Sequence, residues 1–185
     1  LTTADVPNGV ALISVAADGD NAIVVSPGAN GRVAPADIEA AGAILDTAAV
    51  TLLQLEVPLD AVAAAAARAG GTVILNPAPA PPEPLPMSLL ADVDVLVPNQ
   101  TELATLAGHD GPVDRTVAAE LATRLPSRSA IITLGAEGAL VVLDGEATHV
   151  PAPVVTPVDT TAAGDSFCGA LADGRTPCRR RAHRP

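Results

Sequence analysis

The sequence contains no lysine, no tryptophan and no tyrosine, and its 185 residues include one phenylalanine and two cysteines. Without lysine the chain cannot form the phosphate loop in which a lysine reaches the phosphates, so backbone N–H groups would have to hold an anionic ligand that arrives with its metal ion. The single Phe167 argues against stacking of single-stranded nucleic acid. Cys168 and Cys178 form no CxxC pair and suggest neither a zinc site nor a disulfide framework.

Charge is distributed unevenly along the chain. All 21 acidic residues lie in residues 1–174 with five arginines, whereas residues 175–185 contain five arginines and no acid. The acidic body argues against nucleic acid or an anionic membrane as a partner, because both attract positive surfaces. Because charge and composition change abruptly there, we interpret residues 1–174 as one domain and residues 175–185 as a basic tail foreign to its fold, from a frameshift or truncation. A natural basic tail is the alternative.

Hydrophobic residues make up 49% of the chain and the mean hydropathy is +0.38, which predicts a folded domain. No apolar run reaches the roughly 18 residues that span a bilayer. No secretory signal with a basic front opens the sequence, and we expect a reducing cytoplasmic location.

Apolar, β-rich runs alternate with helical patterns along the middle of the sequence. The predicted strands are 50–55, 72–75, 93–97 and 130–134, and the predicted helices are 35–46, 58–69, 99–107 and 114–125. This alternation predicts an α/β domain with three layers, in which helices cover both faces of a mostly parallel, Rossmann-like sheet. Hairpins are predicted at 11–25 and 140–150, and the proline-dense segment 78–86 predicts a stiff loop.

Ligands bind at the carboxyl ends of strands in such sheets, where this sequence places the segment Asp-Thr-Thr-Ala-Ala-Gly-Asp-Ser-Phe at 159–167. Ala162, Ala163 and Gly164 have almost no side chain, so their N–H groups can face an anion at the positive end of the following helix. Asp165 could then take a proton from a hydroxyl that attacks phosphorus. The alternative is an ordinary helix cap, in which Asp165 satisfies free amides.

The 159–167 segment resembles the phosphoryl-transfer signature of the ribokinase family of sugar and nucleoside kinases. The resemblance implies that Asp165 is the catalytic base and that Ala162, Ala163 and Gly164 form the anion hole. It implies ATP-dependent phosphorylation of a sugar hydroxyl, with O5 of D-ribose as the expected acceptor. The alternatives are a deoxyribose, fructose or adenosine kinase of the same superfamily, or an inactive nucleotide-binding fragment.

Two further motifs concern the sugar. Glu56 ends Gln-Leu-Glu at 54–56, and the resemblance implies that it binds a sugar hydroxyl, although by itself it could be a solvated strand end. Asn-Pro-Ala-Pro-Ala at 76–80 resembles ribokinases more than other sugar kinases, and generic chemistry reads it as a rigid turn.

Three other motifs concern ATP and cations. The resemblance assigns magnesium and phosphates to Asn99 and Glu102, which could equally form a helix capping box, and the two roles are compatible. It assigns an activating K⁺ to Asp159 and the backbone at Thr161, although an Asp before two threonines is also a common turn. It places the wall of the ATP site at six consecutive residues, Thr133, Leu134, Gly135, Ala136, Glu137 and Gly138. His109, His149 and His183 show no ligand spacing, and we assign them no chemistry.

The resemblance extends from about residue 9 to residue 173 and covers the middle and rear of a family member. The first strand with its sugar-binding Asp, the Gly-Gly-Lys-Gly-Ala-Asn loop and part of the lid are not found. A homodimer is expected of a full-length member, and the loss of lid strands would remove its usual dimer surface.

Overall fold

A computed structural model describes residues 5–15, 21–125, 127–156 and 160–174. Strands β1 (Val10–Val15) and β2 (Asn21–Ser26) form an antiparallel pair in which Val10 lies opposite Ser26. This pair confirms the first predicted hairpin. Both strands stand apart from the main sheet, and β1 is exposed on both of its faces.

The main sheet has six strands in the order in which they occur along the chain. Strands β3 to β6 are parallel, and β7 and β8 are antiparallel additions that confirm the second predicted hairpin. Their bounds are β3 Val50–Leu53, β4 Thr72–Leu75, β5 Val95–Leu96, β6 Ser129–Thr133, β7 Ala139–Leu143 and β8 Glu146–Val150.

Seven helices occur in the part of the chain that the structure describes. They are α1 Pro35–Ala40, α2 Gly42–Thr47, α3 Leu59–Arg68, α4 Met87–Asp92, α5 Gln100–Ala107, α6 Arg115–Ala122 and α7 Ala163–Asp173. Short 3₁₀ turns occupy Gly28–Arg32 and Gly135–Glu137. None of the described helices is both long and apolar enough to cross a membrane.

Helices cover both faces of the main sheet, which confirms the three-layer α/β/α prediction. Alternation along β4 turns Val73 and Leu75 toward the larger core, where they join apolar side chains of α3, α4, α5 and α6. Ile74 turns to the opposite face and packs with Val97 and with Cys168 of α7. The second core is much smaller, and α7 supplies all of its described helical members.

Two helix predictions need correction. The predicted helix at 35–46 is two helices, because the backbone leaves helical geometry at Ala41 (φ −87°, ψ 2°). Gly42 then lies against the Arg68 guanidinium, where a Cβ would overlap it, and Arg68 pairs with Asp46 at 3.0 Å. Helix α4 was not predicted, and it begins directly after the predicted loop 78–86.

The predicted strand at 93–97 contains only Val95–Leu96 as regular strand, since β5 pairs with each neighbour over two residues. The strand nevertheless occupies the centre of the sheet. The segment that follows it reaches the carboxyl edge at Asn99, which forms an isolated bridge with Thr133 of β6.

Candidate active site

The carboxyl ends of the parallel strands and the start of α7 enclose a cleft of about 200 Å³. The cleft brings together residues that are far apart in the sequence. Among those predicted for the site, it is lined by Glu56, Asn99, Glu102, Thr133, Ala162, Gly164 and Asp165. Ala163, Thr161 and residues 134–138 do not line it, and Asp159 lies outside the described residues.

Asp165 lies in the first turn of α7 and is exposed to the cleft. Its Oδ1 accepts a hydrogen bond from Gln54 Nε2 at 2.9 Å. The same nitrogen donates to Asn76 Oδ1 at 3.1 Å, and Asn76 Nδ2 donates to the Val97 carbonyl at 2.8 Å. Sequence reasoning singled out Asp165 but gave Gln54 no role of its own.

The start of α7 lines the cleft with Ala162, Gly164 and Asp165. Ala162 is its N-cap and has a left-handed backbone (φ 58°, ψ 20°), which costs about 1 kcal/mol for a residue with a Cβ. The Ala163 N–H donates to the Thr160 carbonyl at 3.1 Å. Gly164 and Asp165 are the next two residues of the first turn, where N–H groups lack the intrahelical acceptors of later turns, and both sit at the positive end of the helix.

Asn99 and Glu102 form a reciprocal capping box at the start of α5. Asn99 Oδ1 accepts from the Glu102 N–H at 2.8 Å, and Glu102 Oε2 accepts from the Asn99 N–H at 2.8 Å. Partial burial raises the pKa of Glu102, and the Asn99 N–H acts in the opposite direction. The capping alternative is therefore present, and it leaves Oε1 of Glu102 unused by the box.

The turn after β6 is fixed from two sides. Leu134 N–H donates to the Gly138 carbonyl at 2.8 Å, and Gly138 (φ 99°) has no room for a Cβ, which would overlap the Val150 carbonyl. His149 Nε2 lies 2.7 Å from the Glu137 carbonyl, and His149 Nδ1 lies 3.3 Å from Arg115 Nη1. Because arginine only donates, Nδ1 accepts and Nε2 carries the proton.

Comparison with known proteins places this architecture in a family. The profile described as "pfkB family carbohydrate kinase" matches residues 1–176. The chain belongs to the pfkB family. This membership confirms the resemblance to sugar kinases that the motifs indicated.

Relatives of the chain include proteins named as kinases of pentose sugars. Over 176 residues the chain is 37% identical to a ribokinase of Staphylococcus aureus (strain COL), which covers 92% of the chain and 57% of that protein. It is 41% identical over 173 residues to a deoxyribokinase of Salmonella typhi, covering 89% and 55%. The structure of Arabidopsis thaliana ribokinase complexed with ribose and ATP matches with a TM-score of 0.76, 28% identity and coverage of 93% and 59%. The chain thus spans little more than half the length of these relatives.

In this pfkB-family chain, the cleft supplies few side chains that could ligate a metal ion. The described residues contain no group of three His, Cys, Asp or Glu side chains suited to one. Mg²⁺ commonly keeps several waters and uses one or two carboxylates, a requirement that a partly buried Glu102 with a free oxygen fits. Cys168 also lines the cleft, and its pKa is raised by burial and then by the carboxylates of Asp165 and Glu102, which keeps it a thiol.

Proposed function

We propose that this chain is the catalytic part of an ATP-dependent sugar kinase whose acceptor is O5 of D-ribose. The observation that carries the proposal is the position of Asp165, a carboxylate that lines the cleft within the first turn of α7, at the positive end of that helix. A carboxylate is unfavourable beside a phosphate unless it takes up a proton there. The similarity to a deoxyribokinase keeps deoxyribose as a second candidate acceptor.

In the proposed reaction, Asp165 removes the proton of the sugar hydroxyl as its oxygen attacks the γ-phosphorus of ATP. The new P–O bond forms while the bond to the leaving ADP breaks. The N–H groups of Gly164 and Asp165, with Ala162 and Ala163 shaping the turn, stabilise the charge on the transferring group. Glu56 lines the same cleft and would accept a hydrogen bond from another sugar hydroxyl.

The nucleotide and its cations are assigned to Asn99, Glu102 and Thr133 of the cleft and to predicted residues that do not line it. Asn99, Thr133 and the turn at 134–138 would contact ATP, whose phosphates no lysine of this chain can neutralise. Mg²⁺ would be held through waters by Glu102 and would neutralise charge on the phosphates. K⁺ would bind near Thr161 and Asp159. Residues 1–174 would form this partial domain, with residues 175–185 as a tail outside it.

The test is ATP consumption by the purified chain with Mg²⁺ and K⁺, with and without ribose. Asp165→Asn should lower ribose-dependent turnover by about 10² to 10⁴, the usual contribution of a positioned base. Asp173→Asn, an exposed carboxylate at the other end of α7, is the matched control and should keep the rate.

Each other outcome has a defined meaning. A folded protein that binds ATP but transfers phosphate to none of ribose, deoxyribose, fructose and adenosine is an inactive nucleotide-binding fragment. Equal rates for Asp165→Asn and the unsubstituted chain would remove Asp165 from the mechanism.

A further inference from the structure

We propose that Gln54 is a positioning residue that holds Oδ1 of Asp165 and leaves Oδ2 as the oxygen that receives the hydroxyl proton. For the reaction itself the inference rests on the proposed function. Its structural content is the hydrogen bond of 2.9 Å between Gln54 Nε2 and Asp165 Oδ1, which joins residues 111 positions apart.

The hydrogen bond to Asp165 is the last of three that run across the strand ends. The first joins Asn76 Nδ2 to the backbone carbonyl of Val97, a residue that is 1% exposed. Since a carbonyl only accepts, this bond fixes the Asn76 amide with Oδ1 toward Gln54. The orientation of Asn76 is therefore set by the sheet itself, and Asn76 is 9% exposed.

The orientation of the Gln54 amide follows from that of Asn76. A primary amide has two N–H bonds, and Nε2 of Gln54 directs one to Asn76 Oδ1 and the other to Asp165 Oδ1. A flipped amide would place its oxygen against two acceptor oxygens. Only one orientation is compatible with both neighbours, so the network holds Asp165 from a fixed point.

Holding one oxygen of the carboxylate has a chemical consequence. Oδ1 already accepts a hydrogen bond from Gln54, so the less engaged Oδ2 is the better acceptor for a proton from the substrate. Gln54 is uncharged and holds the carboxylate without neutralising it. The apolar contacts of α7 with Ile74 and Val97 hold the helix but do not set the rotation of the Asp165 side chain.

The test compares Gln54→Met, which keeps the length of the side chain and removes the donor, with the unsubstituted full chain. We expect kcat to fall about 10- to 100-fold, as for misplacement of a reacting group, with KM for ATP unchanged within about twofold. Gln100→Met is the matched control, since Gln100 donates its amide to the Val113 carbonyl and does not line the cleft. It should keep kcat.

Two further measurements separate positioning from a general structural effect. In the Asp165→Asn background, Gln54→Met should cause no further loss of rate, whereas independent losses would multiply. In a crystal structure of Gln54→Met, the Asp165 carboxylate should leave its present orientation or occupy several.

The crystal structure of Gln54→Met tests the positioning role even if the unsubstituted chain transfers no phosphate. An unchanged, single orientation of Asp165 overturns the positioning role whatever the rates are. If the Asp165 orientation changes in Gln54→Met and the unsubstituted chain phosphorylates no sugar, the positioning role is supported and the proposed function is refuted. If Gln54→Met does not fold, Gln54→Glu carries the same test, because an ionised carboxylate of the same shape cannot donate to Asp165.

Discussion

At the scale of single residues, the cleft contains groups that are held there at a cost in stability. Glu102 shows the cost most directly, since partial burial raises its pKa. A carboxyl group whose pKa is higher in the folded than in the unfolded state binds more protons when folded. Its contribution to stability therefore decreases as pH rises from the unfolded pKa through the folded one.

Glu102→Gln should accordingly stabilise the protein at neutral pH. Glutamine keeps an oxygen for the Asn99 N–H and loses the buried charge. We expect a higher urea midpoint than that of the unsubstituted chain at pH 7 in EDTA, and a difference that shrinks at or below pH 4.5, the ordinary pKa of a glutamate carboxyl. The same substitution should reduce Mg²⁺-dependent turnover about 10- to 100-fold.

Glu83→Gln in the exposed proline-rich loop is the matched control for this change, and it should leave the midpoint in place at both pH values. A midpoint for Glu102→Gln that is equal or lower at pH 7 would contradict the assignment of a desolvation cost.

At the scale of elements, α6 and β8 together hold the turn after β6. Arg115, the first residue of α6, donates to His149 of β8, and His149 donates to the Glu137 carbonyl. The histidine needs one ring nitrogen to accept and the other to donate. A side chain without both functions cannot connect the two elements to the turn.

His149→Phe keeps a ring at this position and removes both hydrogen bonds. If the turn forms the ATP wall, we expect KM for ATP to rise several-fold, on the order of 1 kcal/mol for a lost hydrogen bond, with kcat little changed. Steady-state kinetics with varied ATP measure this. Thr148→Val, on the opposite face of β8, is the control. An unchanged KM for ATP would show that the turn does not need the histidine.

The sequence predicted elements well where a periodic pattern was long or strongly apolar. Strand β4 and the stripe of α3 that buries Ala61, Val62 and Ala65 are examples. Helix α4 was not predicted because it has only six residues, too few to show a periodic pattern, and it follows directly after a run of prolines. Gln54 and His149 were missed for a different reason. Gln54 contacts Asp165, which is 111 residues away, and His149 contacts Arg115 and Glu137, which are 34 and 12 residues away. No local spacing in the sequence indicates such contacts.

At the scale of the whole molecule, the two sheets differ in how much they bury. The main sheet has a core on each face, whereas the β1–β2 pair keeps large apolar side chains exposed, with Leu12 and Val24 each 68% exposed. An isolated two-stranded hairpin is marginally stable in water. The pair is therefore free to open while the main sheet stays folded.

Hydrogen exchange should show this hierarchy. Amides of β1 and β2 should exchange through local opening, at least about 10²-fold faster than those of β4 and β6, which should require global unfolding. Mass spectrometry of peptides from each strand measures the rates, and β8 serves as an edge strand that belongs to the main sheet. Equal protection of β1 and β4 would mean that the hairpin unfolds together with the main sheet.

Gly138 shows how the fold limits which residue can occupy one position. Its left-handed backbone and the Val150 carbonyl beside it leave space for a hydrogen atom only. Any other residue there would bring its Cβ into the Val150 carbonyl and force the backbone next to the β7–β8 hairpin to shift, whether or not ATP is bound. If Gly138 is invariant among related proteins, the cause is therefore the close approach of two backbone segments and not a contact with the ligand.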